Sequence, residues 1–405
     1  MKKYLESFLC GFLSCAGLVM LTILILSYTG VLNLTGVLST GNASLKSEIS
    51  GKVSKIQRFI DTYYLDRIDP EQMADSIYKG VVAGLGDEYA AYYTEEEYQT
   101  ITEKTSGTYC GIGAYVTQNA ETGAITIVKP IAGGPAEKAG LQADDIIYAI
   151  DGSKVNGKDL SEVLALIKGK PGTEVKIQIV RSGESDYLDF TLTRAEIKED
   201  TVSSRMLENN IAYIAVSSFE EVTTEQFAAA LNNLQEQGMQ ALIIDLRDNG
   251  GGLLNTAVDM LDMMLPEGLV VYTEDKKGVA ERFYAEDPDE ITVPTAILVN
   301  GNSASASEVF SGAMQDEGKA KLIGTTTFGK GIVQTIFDLD DGSALKMTTS
   351  KYYTPKGRNI HGTGLEPDIT VELDKNTLNK QDASGQAKPD NQMTAAMEYL
   401  QGCMN

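Results

Sequence analysis

The chain has 405 residues, 42% hydrophobic and 22% charged, which suits two or three domains with a sizeable core and excludes a disordered or collagen-like polymer. Its 34 Lys plus Arg against 57 Asp plus Glu leave a net charge of −23, and no strongly basic tract supplies the phosphate-neutralising surface of a nucleic-acid binder. Four cysteines are too few for a disulfide framework, and a single histidine, His361, excludes a His pair or a His-rich zinc site.

Lys2 and Lys3 precede a charge-free apolar run over residues 8–28, long enough to cross a hydrocarbon core of ~30 Å. The run exceeds the ~7–15 residues of a signal-peptide core, and no clean small-residue cleavage site follows it. The expectation is an uncleaved signal anchor in residues 1–30, with the lysines on the cytoplasmic side and the rest exported. A lipoprotein reading at Cys15 is weaker, because Phe12-Leu13-Ser14 is a poor lipobox. Cys10 and Cys15 then lie in the membrane, while Cys110 and Cys403 lie outside it with no disulfide implied.

Residues 31–52 are small and polar and read as a linker. Over residues 53–106 the pattern is helical, with Val53, Ile56, Phe59 and Ile60 at 3/4 spacing and Pro70 opening a second stretch through Met73, Ile77 and Val81. The acidic, tyrosine-rich run "GDEYAAYYTEEEYQ" reads as a solvated helix start with core aromatics. Residues 107–197 alternate short β-type runs with turns around one strong helix pattern at Leu160–Ile167. Residues 198–375 alternate buried strands ("ALIIDL", "TAILVN", "KLIGTTT") with helices at 224–237, 253–264 and 305–316. That alternation predicts an α/β layer on a largely parallel sheet. Residues 376–405 read as a linker followed by an amphipathic helix carrying Met393, Ala396, Met397 and Leu400.

Three motifs in the α/β half carry chemistry. "ILVNGNSASASEVFSGAMQD" leads from a buried strand through a tight turn into a helix, a place where α/β enzymes set nucleophiles and bound anions. Capping alone explains a serine there, since Ser305 to Glu308 spell a capping box, and the residues do not choose among Ser303, Ser305 and Ser307. The G-x-S-x-G elbow is nearly but not fully matched. "GTTTFGKG" resembles a nucleotide-binding loop up to Lys330, but Gly331 stands where Ser or Thr is required and a strand pattern follows. "DLRDNGGG" offers glycines that let backbone amides approach a ligand closely, as an oxyanion hole requires. With one histidine, in a Gly-rich loop, a serine enzyme here uses either His361 or a lysine whose amine is lowered by burial, and Ser305 with Lys330 form the plausible dyad.

"NGNSASASEVFSGAMQD", "TTFGKGIVQ", "DLRDNGGG" and "TPKGRNIHGTGLEPD" together resemble the C-terminal processing peptidases, serine peptidases with a Ser-Lys dyad. "GIGAYV" and "GGPAEKAGLQADDIIYAIDG" resemble the PDZ module of those enzymes. The likeness spans residues 63–374 in the family's order. It implies Ser305 as nucleophile, Lys330 as general base and Gln334 as the residue orienting that base. The implied oxyanion donors are the Ala306 amide and one from the glycine loop, Gly251 or else Gly252. Lys168 stands where relatives often carry Arg. If "GIVQ" is extended, Lys330 and Gln334 face the same side. The turn of Gly111, Ile112, Gly113 and Ala114 would then bind a peptide's terminal carboxylate with backbone amides, the peptide adding as a strand to a sheet edge.

The expected architecture is therefore multidomain: a transmembrane helix, a helical segment, a mostly-β PDZ module (107–197) and an α/β peptidase core (198–375). The expected function is a membrane-anchored, extracytoplasmic serine endopeptidase that cuts proteins near their C-termini, with no cofactor or metal. Its partners would be peptides with free C-termini, the membrane and, as an open question, further copies of itself. A PDZ scaffold with an inactive peptidase domain and a P-loop ATPase are the alternatives.

Overall fold

The computed structural model describes residues 43–287, 290–377 and 389–404. The chain divides after Ala74 into two compact units. Helix α1 (Ala43–Tyr63) starts earlier than the expected residue 53, because "ASLKSEIS" contains helix formers and no proline. A second helix, α2 (Pro70–Ala83), opens on Pro70 at its first turn, where a missing N–H costs nothing. The expected transmembrane helix is corrected here. No helix among the described residues is long and apolar enough to cross a membrane; α1 has the length, but Lys46, Glu48, Lys52, Lys55, Arg58 and Asp61 interrupt it. Residues 8–28, on which the expectation fell, lie outside the described residues.

The tyrosine-rich run, residues 86–99, divides in two: its first half forms a loop and a short strand, β1 (Ala91–Tyr93), and its second half, from Thr94, is the expected solvated start of helix α3 (Glu95–Ser106). Thr94 caps that helix, accepting from the Glu97 amide at 3.3 Å while Glu97 accepts from the Thr94 amide at 2.9 Å.

A mostly-β module follows. The strands β2 (Thr108–Gly111) and β9 (Ala195–Lys198) pair antiparallel and carry the chain in and out of it. Between them lie β3 (Ala114–Gln118), β4 (Ile125–Pro130), α4 (Pro135–Ala139), β5 (Ile146–Ile150), β6 (Ser153–Lys154), α5 (Leu160–Ile167), β7 (Glu174–Val180) and β8 (Leu188–Thr193). The sheet runs β3-β4-β5-β7-β8 with β6 on β5, so β3 is an edge. Alternate residues of β4 and β7, among them Ile125, Ile127, Val175, Ile177 and Ile179, point inward onto Ala136, Val163 and Ile167 of the two helices.

The α/β layer holds β10 (Val202–Met206), β11 (Ile211–Val216), α6 (Glu221–Glu236), β12 (Ala241–Asp245), α7 (Leu254–Asp262), β13 (Gly268–Asp275), β14 (Ala280–Ala285) and β15 (Thr295–Val299). It continues through α8 (Ala306–Asp316), β16 (Ala320–Gly324), β17 (Ile332–Asp338), β18 (Ala344–Tyr353), β19 (Ile369–Thr370) and α9 (Asn391–Met404). Strands β11, β12, β15, β16 and β19 are parallel neighbours in that order, with β10 antiparallel on the β11 edge. One face (Ile214, Leu242, Ile244, Ile297, Val299) packs on α6, α7 and α8. The other (Ile211, Ile243, Ala296, Leu298, Ile323) packs on Met393, Ala396 and Leu400 of α9. Both faces being covered, β12 and β15 are buried throughout and apolar but for Asp245 and Thr295 at their ends. A second, antiparallel sheet, β1-β18-β13-β14 with β17 on β18, carries the segment after Lys330.

Candidate active site

Three serines spaced by two residues follow β15, and burial separates them. Ser303 Oγ donates to the Leu246 carbonyl at 2.7 Å, and Ser307 Oγ donates to the Asn249 carbonyl at 2.9 Å; both are fully buried. Their hydroxyls tie the turn to the glycine loop after β12. Ser305 is partly exposed and holds φ 57°, ψ −115°, a conformation that non-glycine residues rarely adopt. An ordinary N-cap sits in the β region, so capping alone does not account for Ser305. The conformation is a strained strand-to-helix turn of the nucleophile-elbow kind, reached without the flanking glycines.

The Glu308 side chain, fully buried on the first turn of α8, joins this turn to the lysine loop. Its Oε2 accepts from the Ser305 amide at 2.9 Å and from the Lys330 amide at 2.8 Å. Its Oε1 accepts from Thr327 Oγ1 at 2.6 Å and from the Gly329 amide at 2.7 Å. One carboxylate therefore holds the backbones of both dyad candidates, and Tyr352 Oη donates to the Ser305 carbonyl at 3.2 Å on the other side. Gly329 has φ +90°, and a side chain on Gly331 would meet the His361 amide at 2.6 Å. His361 thus contributes backbone to the lysine loop, while its side chain is exposed.

The Lys330 amine is half-buried, and burial with the nearby Lys346 ammonium pushes it below its ordinary value; Asp87 and Glu308 oppose that shift. Its nitrogen stands over the Tyr89 ring, 4.8 Å from the centroid. Gln334 lies opposite Thr348 in the β17–β18 ladder, and its buried Nε2 has no hydrogen-bond partner among the described residues. The parity argument that put Lys330 and Gln334 on one side does not hold as made. β17 begins only at Ile332, and the register shifts between Val333 and Gln334.

In the glycine loop, Gly251 lies against the serine turn: a side chain there would come within 2.8 Å of Ser305 Cβ and 2.9 Å of the Ala306 amide nitrogen. Its φ of +101° also requires glycine. Its N–H, however, donates to Asn249 Oδ1 at 2.8 Å. Asn249 is fully buried, donates through Nδ2 to the Val216 carbonyl, and its own carbonyl accepts from Ala304 and Ser307. Gly252 and Ala306 donate their amides to no described residue. Arg247, in the same loop, bonds Asp245 and reaches Asp390 and Gln392 at 2.9 Å each, so it fastens the start of α9 to this loop.

In the β module, Gly113 has φ +69° and a side chain there would meet Ile197 Cδ1 at 2.9 Å. Gly111 has an ordinary φ and only the Tyr109 ring at 3.4 Å, so within this turn the requirement for glycine falls on Gly113 and not on Gly111. Ile112 is buried, its carbonyl accepting from Ala136 at 2.7 Å, and Ala114 begins the edge strand β3. Lys168 pairs with Glu103 of α3 at 2.8 Å with both side chains partly exposed, an arrangement worth little in water.

Asp87, Tyr89, Asn249 and the bridging role of Glu308 were not found from sequence. For Glu308 the capping box was a signal, read locally as a helix start; for the tyrosines, only the unusual density of aromatics was visible.

Peptidase family S41 matches residues 210–371, and a PDZ domain family matches residues 126–181. The carboxy-terminal processing protease CtpA of Bacillus subtilis (strain 168) is 38% identical, covering 82% of this chain and 73% of its own. The carboxyl-terminal-processing protease of Synechocystis sp. (strain ATCC 27184 / PCC 6803 / Kazusa) is also 38% identical, over 72% of this chain and 69% of its own. Among solved structures, a photosystem II D1 C-terminal processing protease is similar at 29% identity and a TM-score of 0.47, over 78% of this chain and 86% of that one. A strained serine turn, a half-buried lysine and a glycine loop on an S41-type core with a PDZ module thus lead to one assignment: the chain is a serine-type peptidase of the C-terminal processing family.

Proposed function

We propose that the chain cleaves protein substrates near their C-termini through a Ser305–Lys330 dyad. The observation that carries this reading is the single Glu308 carboxylate oxygen shared by the Ser305 and Lys330 amides. It sets the two residues in one rigid frame while the neighbouring Ser303 and Ser307 hydroxyls are spent on internal bonds. In its neutral form Lys330 Nζ takes the Ser305 proton as Oγ adds to the scissile carbonyl. The tetrahedral oxyanion is held by the Ala306 amide at the head of α8 and by an amide of the glycine loop. Because Gly251 is committed to Asn249, Gly252 is the better second donor. Lys330 then protonates the leaving amine, and water attacks the acyl-enzyme with Lys330 again accepting the proton. Gln334, whose buried Nε2 has no partner among the described residues, orients the amine.

The PDZ module would capture the substrate tail or gate the site. The Gly111–Ala114 turn opens onto the edge strand β3, the geometry that strand addition with carboxylate capture requires. The test is to incubate the chain, and its Ser305→Ala and Lys330→Ala variants, with an unstructured protein and read the new C-termini by mass spectrometry. Cleavage confined to C-terminal regions, and absent in both variants, is expected. Undiminished cleavage by folded Lys330→Ala would overturn the dyad.

A further inference from the structure

Two side chains outside that scheme, Asp87 and Tyr89, approach the Lys330 amine from the segment ahead of β1. The amine lies over the Tyr89 ring at 4.8 Å and forms no ion pair with a described residue. The turn that carries the ring is pinned from behind. Asp87 Oδ1 accepts from the Tyr89 amide at 2.9 Å, and Asp87 Oδ2 accepts from the Thr348 amide of β18 at 3.2 Å. Thr348 is the residue paired with Gln334 across the ladder. The tyrosine is thereby fixed to the same strand pair that carries the orienting glutamine. An aromatic face attracts an ammonium through its quadrupole and offers a neutral amine far less.

We propose that Tyr89 is a positioning residue for Lys330, its ring holding the protonated amine between proton transfers and releasing it as it deprotonates. This rests on the reading of Lys330 as the base. The charged and titratable groups that face the amine are Lys346 of β18, Glu308 of α8, and Asp87 and Tyr89 of the turn. Lys346 and burial favour the neutral amine; Asp87 and Glu308 favour the ammonium, and the ring joins the second set. Lys346 itself stands over Tyr93, 5.4 Å from that ring, so each of the two lysines faces a tyrosine of the same short segment.

The test is the pH profile of kcat/KM for the full chain, with thermal melts to confirm folding. Tyr89→Leu removes the ring but keeps apolar bulk. Its rising limb is expected to move toward lower pH by about half to one and a half units, the span of a cation–π contact of this burial. The plateau rate should also fall, because the amine is no longer held. Tyr89→Phe keeps the ring and should restore the wild-type limb. Tyr89→Met serves as the non-aromatic variant if the leucine variant does not fold. A limb in the non-aromatic variant that coincides with wild type, or one that Tyr89→Phe moves equally, would overturn the role of the ring. Lys330→Ala separates the two readings: if it is active, the dyad itself falls; if it is silent and the limb is unmoved, only the role of Tyr89 does.

Discussion

Replacing Glu308 by Gln changes one atom of the frame and should disable the enzyme. The carboxylate is fully buried and accepts four hydrogen bonds, two on each oxygen, from donors that have no freedom to become acceptors except Thr327. A glutamine keeps one oxygen and turns the other into an NH2 group. With NH2 at the Oε2 position it faces the amides of Ser305 and Lys330; with NH2 at Oε1 it faces the Gly329 amide, and Thr327 Oγ1 must turn to accept. The second arrangement costs less, yet still forfeits at least one charge-assisted bond worth about 1.5–3 kcal/mol and leaves a buried N–H unpaired at about 1–3 kcal/mol. The loss is therefore about 2.5–6 kcal/mol, a fall in Tm of roughly 5–24 °C at ~2–4 °C per kcal/mol for a domain of this class. Any shift of the lysine loop relative to the serine turn adds a kinetic loss, since a ~1 Å misplacement costs about a hundred-fold. Differential scanning calorimetry and kcat/KM on a quenched peptide measure the two effects. Glu308→Gln with unchanged Tm and kcat/KM would refute the bridge.

The remaining expectations bear on the dyad, its protonation, the peptide groove and the ninth helix. Ser305→Ala and Lys330→Ala should each abolish nearly all turnover, because nucleophile and base act as a unit, whereas folded His361→Ala should stay active; kcat for the three variants decides it. The Lys330 amine lies below its ordinary value when folded, so activity should rise with pH through that lowered value and hold above it. Linkage has the same sign: the folded state binds fewer protons at Lys330 than the unfolded chain, so its contribution to stability increases as pH rises from the folded value toward 10.5, read from Tm against pH in wild type and Lys330→Met. A free-acid peptide should bind ten- to a hundred-fold more tightly than its amide, for charge-assisted bonds of about 1.5–3 kcal/mol, with binding lost in Gly113→Val and kept in Gly111→Ala; calorimetry that finds acid and amide equal would exclude carboxylate capture. Arg247→Ala should lower stability by about 3–5 kcal/mol by stranding buried Asp245, and should make α9 sensitive to limited proteolysis.

Periodicity was enough to find the parallel strands β11, β12, β15 and β16 and the helices between them, because each buries one stripe or both faces against a neighbour, whereas the two-residue β19 is too short to show a period. It also found the apolar positions of α9, but not their use: Met393, Ala396 and Leu400 cover the second face of the sheet, a placement that depends on Arg247 meeting Asp390 across 143 residues of chain. The serine turn marks the same boundary more sharply. Ser303, Ser305 and Ser307 are alike in type and spacing, and only tertiary bonds to Leu246 and Asn249 distinguish them. The parity argument at Gln334 lost its premise for a local reason, a late strand start and a register shift that no residue in "GKGIVQ" announces. The acidic, aromatic run misled in its first half only: from Thr94 it starts a solvated helix as its composition suggests, whereas pairing with β18 makes Ala91–Tyr93 a strand and sets Asp87 and Tyr89 beside the lysine.

A common cause lies behind these cases. Patterns in sequence record which side of an element faces the core, a property each element has by itself. A catalytic frame is built from groups that satisfy one another across elements, and here a single buried carboxylate does so for two loops. Such a group is written in sequence as an ordinary helix-capping glutamate. Its second set of donors, Thr327, Gly329 and Lys330, becomes visible only when the chain has brought α8 and the lysine loop together. The strain at Ser305 has the same origin. A backbone at φ 57°, ψ −115° costs about 1–3 kcal/mol and is held by the bonds of its neighbours, Ala304 to Asn249 on one side and Glu308 on the other. The residues that hold the serine in place are thus those whose loss should be felt in stability and turnover together, and Glu308 is the one on which most of those bonds converge.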